Sequence, residues 1–137
     1  MKFKFIILAL SFTLFYSCFV TNENNDEDIK SAKAKCDKYL EFTKTNIDSA
    51  FTLTSNVDLN VFKRTAEKSD SVYGKIISFS YVNGTSKVLS YSGKYPEGDF
   101  SLNYKLTREK INTTKTVFLK LYKDTIKIVN YTENAEF

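Results

Sequence analysis

Chemistry at neutral pH draws on few side chains, and this chain of 137 residues contains no His. Without imidazole, no side chain has an ordinary pKa between about 5 and 8 to serve as general base, to activate a nucleophile or to hold zinc or iron. Two Cys are present, Cys18 and Cys36. Cys36 falls on the apolar stripe of a predicted helix, where a thiol behaves as a small hydrophobe and has no base to activate it. The acids Glu97, Asp99, Glu109 and Asp124 fall in predicted turns, the ordinary place for solvated carboxylates. Asn25, Asp26 and Asp28 offer oxygens but lack the Gly and distant Glu of a calcium loop. Gly84, Gly93 and Gly98 form no phosphate-cradling run. The expectation is therefore no catalytic residue, no metal site, no cofactor and no enzyme.

Two constellations remain. Tyr81 and Tyr104 alternate with polar residues on predicted strands and face inward, so their hydroxyls either tip a pocket between helix and sheet or reach its rim from a filled core. On the opposite face of the last strands, Lys105, Phe118, Lys120, Tyr122, Lys127 and Tyr131, with Val129 among them, make a basic and aromatic surface. That surface is either a binding face for a protein, an anionic glycan or a second copy, or the amphipathic coat of an exposed sheet whose Lys residues block edge pairing.

The elements that position these residues follow from periodicity. From Ile29 to Phe51, Ala32, Cys36, Tyr39, Leu40, Ile47 and Ala50 keep helical spacing and draw one apolar stripe. A second helix is expected from Asn56 or Asp58, with Leu59, Phe62, Ala66 and Tyr73 inward and Gly74 at its end. After Gly74 the period drops to two. Strands are predicted over 75–82 and 87–91, with Asn83-Gly84 as a hairpin turn, then over 100–107, 116–122 and 125–131, the last two joined across Lys123-Asp124. Inward positions are Phe79, Tyr81, Phe100, Leu102, Tyr104, Leu106, Val117, Leu119, Leu121, Ile126 and Ile128, with no carboxylate among them. The fold class expected is α+β, with one N-terminal helix, or two, packed on a curved antiparallel sheet of about five strands.

The run from Leu121 to Tyr131, a turn followed by Ile126, Lys127, Ile128 and a nearby Tyr, resembles the closing hairpin of small cystatin-like and NTF2-like lipoproteins. Ile126 stands where Trp is usual. Tyr73-Gly74-Lys75-Ile76-Ile77 is similar to their passage from helix to sheet. The resemblance implies a helix-on-sheet roll but no single activity, since such domains include enzymes, binding modules and many without an assigned role. The Gln-x-Val-x-Gly loop of cystatin inhibitors is missing.

Lys2 and Lys4 precede an uncharged stretch from Phe5 to Val20, the pattern of an export signal, shorter than the roughly 20 apolar residues of a spanning helix. Leu14-Phe15-Tyr16-Ser17-Cys18 resembles the lipobox of bacterial lipoproteins, which implies acylation of Cys18, palmitate included, and removal of residues 1–17. A free Cys18 ending an apolar stretch is the alternative. Residues 18–28, rich in acids, are expected to be a solvated tether, leaving 29–137 as the α+β domain. The net charge is +4, and Lys2 and Lys4 of the leader account for half of it, which is no nucleic-acid footprint.

The sequence thus points to a non-enzymatic cell-envelope lipoprotein, held to the membrane by its N-terminal lipid, with the periplasmic side of the outer membrane as the default location. It would act as a protein- or ligand-binding module. The alternative is an NTF2-like enzyme using a Tyr or carboxylate in the helix-sheet pocket. An inward Asp or Glu beside an open cavity favours catalysis, and a filled interior with an apolar exposed patch favours binding.

Overall fold

The structure, a computed structural model, describes residues 19–55, 57–91 and 94–136. Cys18 and the leader lie outside the described residues. In chain order the elements are β1 (Phe19–Glu23), α1 (Asp26–Thr45), α2 (Ile47–Phe51), α3 (Leu59–Tyr73), β2 (Ile76–Tyr91), β3 (Glu97–Arg108), β4 (Thr113–Tyr122) and β5 (Thr125–Ala135). The strands form one antiparallel sheet in the order β1-β2-β3-β4-β5. The fold is the α+β class that the periodicities predict.

Local chemistry sets the helix ends. The Asn25 side chain accepts from the N–H groups of Glu27 and Asp28, and Asp26, Glu27 and Asp28 place negative charge where the α1 dipole is positive. Ala32, Cys36, Tyr39 and Leu40 form the buried face of α1. Asn46 then interrupts the predicted long helix: its backbone turns extended and its side chain caps α2 through Ser49 N–H. Asp58 caps α3, whose single fully buried side chain is Phe62, set against Tyr39 and Phe51. Gly74 ends α3 at φ 82°.

Three expectations are corrected. Asn83-Gly84 is no turn. β2 runs straight through it, with a register shift between Tyr81 and Asn83, and neither residue has the positive φ that a two-residue hairpin turn requires. Gly84 serves another purpose, because a Cβ there would overlap Cδ2 of Leu102 on β3. The two predicted strands are therefore one. The fifth strand comes instead from Phe19–Glu23, inside the stretch expected to be a spacer. It pairs with residues 87–91, and beyond it Asn24 bonds Ser86 in both directions, at 2.8 and 3.2 Å. Of the acids that made the spacer look unpackable, Asp26, Glu27 and Asp28 belong to the first turn of α1, and Glu23 ends β1. Lys123 and Asp124, at φ 48° and 62°, do make the predicted two-residue turn.

The third correction concerns length. β3 extends to Arg108, β4 begins at Thr113 and β5 continues to Ala135, so each strand outruns the predicted range at the same end of the sheet. Beyond α2, residues 53–55 lie along β5: Ile128 N–H donates to Leu53 O at 3.0 Å, and Ser55 N–H donates to Ile128 O at 2.9 Å. No helix among the described residues is long and apolar enough to cross a membrane.

Candidate functional site

The strand extensions place charge inside the fold. Even positions of β3 from Phe100 and odd positions of β4 face α1, and carrying each phase outward brings in Arg108, Thr113 and Lys115, all buried. On β5 a bulge opposite Phe118 and Leu119 shifts the phase, so that Ile126 and Ile128 are followed inward by Tyr131 and Glu133. The expected dry interior therefore holds at the middle of the sheet and fails at this end.

Glu133 is the hub. Its Oε1 accepts from Arg108 Nε at 2.8 Å and Thr113 Oγ1 at 2.7 Å, and its Oε2 accepts from Ser69 Oγ at 3.2 Å, with Lys115 Nζ at 3.4 Å. Arg108 uses three of its four other donors on Gly74 O at 2.6 Å, Asp70 Oδ1 at 3.0 Å and Ser69 Oγ at 3.1 Å, fastening the C-terminal half of α3 to the sheet. The Lys115 ammonium lies 3.9 Å from the Tyr131 ring centroid. Burial alone would push the Glu133 carboxyl up, but Lys115, the Thr113 hydroxyl and Arg108 outweigh it and hold it below its ordinary value. Burial, reinforced by Arg108, pulls the Lys115 ammonium down against the attraction of Glu133.

The anticipated tyrosine pocket is core. Tyr104 is fully buried and donates to Asp37 Oδ1 at 2.7 Å, and Tyr81 packs edge-on against it with ring centroids 5.7 Å apart. Cys36 is buried beside them, its thiol pushed up to about 12 chiefly by burial.

The six residues of the anticipated outer surface do not all come together. Tyr131 faces inward because of the β5 bulge. Lys105 lies 3.9 Å from Glu136, Lys120 lies 3.7 Å from Asp99, and Lys127 donates to Thr52 O at 2.8 Å. Phe118 borders one hollow with Glu23 and Lys87, whereas Lys120, Tyr122 and Lys127 border another of about 580 Å³.

A different opening has the character of a site. Between α3 and β5 lies a cleft of about 230 Å³, walled by Val57, Val61, Phe62, Ile128 and Val129, with Tyr39 and Tyr131 at its back. Behind those rings, a hollow of about 10 Å³ borders Arg108 and Lys115, enough for about one water molecule. Small-molecule sites usually enclose about 300–1,000 Å³, so the cleft suits one or two apolar side chains. Extending the period-two pattern to Arg108 and Lys115 would have revealed two members of the cluster. The bulge that turns Tyr131 and Glu133 inward has no sequence signal. No family model, curated protein or solved structure matches this chain.

Proposed function

We propose that this chain is a non-enzymatic binding module of the cell envelope, carried on a membrane by lipid at Cys18, and that it holds an apolar group of a partner in the cleft between α3 and β5. The observation that carries this reading is the cleft itself: an open apolar hollow beside a network whose charges already answer one another. The lipobox-like residues ending at Cys18 and the helix-on-sheet arrangement support the anchored, cystatin-like or NTF2-like reading.

The rival reading, an enzyme, has one observation in its favour: a carboxylate and a lysine, Glu133 and Lys115, do face inward near a cavity. Against it, both Glu133 oxygens are occupied and the carboxyl is held in its charged form, the opposite of a base poised to take a proton.

The test is a saturation titration with 1-anilinonaphthalene-8-sulfonate, an apolar fluorescent probe. One saturable site is expected, lost in Val61→Glu, which replaces a side chain that is already 56 % exposed and should leave the fold intact. Absence of a saturable site, or a titration unchanged in Val61→Glu, overturns the reading.

A further inference from the structure

Resting on that binding reading and giving its partner a shape, we infer that the free edge of β5 takes up an extended segment of another protein as a sixth strand, with apolar side chains entering the cleft under α3 and an acidic residue alongside. The chain already does this to itself over part of the edge. Residues 53–55 lie parallel to β5 and exchange two backbone hydrogen bonds with Ile128, after which the chain leaves for the Asp58 cap of α3. β5 is the last strand of the sheet, so beyond Ile128 no strand among the described residues continues the ladder. Past the bulge, strand alternation turns the backbone groups of Tyr131 and Glu133 away from β4. Among the described residues the Tyr131 N–H donates to the neighbouring Asn130 side chain alone, at 2.8 Å, which an incoming carbonyl can displace.

Size and charge narrow the occupant. A volume of about 230 Å³ lies below the usual range of small-molecule sites and accommodates the alternate side chains of an added strand, the arrangement in which backbone bonds give affinity and pockets give specificity. Val61 and Thr65 line the cleft, and Lys68 and Val72 continue the same flank of α3 at helical spacing. Val61 and Val72 are 56 % and 51 % exposed. Lys68 is the one charged member of this flank, and neither it nor the adjacent Arg64 makes an ion pair among the described residues. An acidic residue in the added strand supplies the missing charge. At the other edge of the sheet, Lys87 is already paired with Glu23 at 3.2 Å.

The test is affinity selection of a random dodecapeptide library on the full chain in detergent, followed by hydrogen exchange on the selected complex. Expected are peptides alternating Val, Ile or Thr with polar residues and carrying Asp or Glu, together with slowed exchange of the Tyr131 and Glu133 amides. Val61→Glu should weaken binding at least about tenfold, as loss of a central apolar contact does. Lys68→Glu should shift selection from acidic to basic peptides. Four outcomes overturn the inference: no enrichment, peptides with the three-and-four spacing of an amphipathic helix, binding indifferent to Val61→Glu, or a dimer of this chain that Val61→Glu dissolves. If the fluorescent probe still binds in a Val61-dependent way while no strand-like peptide is selected, only the strand inference fails; if both fail, the cleft is not a binding site.

Discussion

Glu133 balances two buried cations, and the arithmetic of charge leaves Lys115 the weaker partner: Arg108 also holds Asp70, whereas Lys115 has, among the described residues, the shared carboxylate and the faces of two tyrosines. Removing the carboxylate strands Lys115 and leaves Arg108 with Asp70 alone, so Glu133→Gln should cost about 3–5 kcal/mol in a urea melt. Lys115→Met should leave stability unchanged or raise it by up to roughly 2 kcal/mol, because it deletes a desolvated charge. The acid limb of the pH profile separates electrostatics from packing. Glu133 sits below its unfolded value, so its contribution is present above about pH 4.3 and is lost as the pH falls through its depressed native value. That part of the slope should vanish in Glu133→Gln. Cys36 is the complementary case: buried, with its thiol pushed up to about 12, it should resist iodoacetamide at pH 8 in the native chain and react promptly in urea, as followed by mass spectrometry. Its burial is legible from its place on the helix stripe. The Arg108–Lys115–Glu133 cluster was not, because strand boundaries drawn at residues 107, 116 and 131 stopped short of every member.

At the scale of elements, the sequence disclosed what periodicity encodes and concealed what long-range pairing decides. The α1 stripe, the α3 cap at Asp58 and the Lys123-Asp124 turn were readable because each is set by neighbours in the chain. Asn83-Gly84 misled because a dipeptide's preference for a tight turn yields when a continuous strand gains a full ladder on β3 and Leu102 needs the space above Gly84. Gly74 is where local and distant demands coincide. It has positive φ, and an added Cβ would stand 2.7 Å from Glu109 Cβ and 2.8 Å from Lys110 N. Gly74→Ala should therefore cost at least about 1 kcal/mol. Its carbonyl also receives Arg108, so the same substitution should speed hydrogen exchange across the last turn of α3 more than in α1.

For the whole molecule, metabolic palmitate labelling tests the anchor. Label should enter the wild type and be absent from Cys18→Ala, and label retained in that variant would place acylation elsewhere. Phe19, the residue directly after Cys18, already belongs to β1, paired with Tyr91. A chain acylated at position 18 would have no leash: its first strand would sit at the bilayer, unable to swing out as a lipoprotein on a long linker does. β5 lies four strand spacings across the sheet, roughly 19 Å from β1 at about 4.8 Å each. In a chain so anchored, the edge with a place for another strand would be the one farthest from the fatty acids, and whatever filled it would come from the aqueous side.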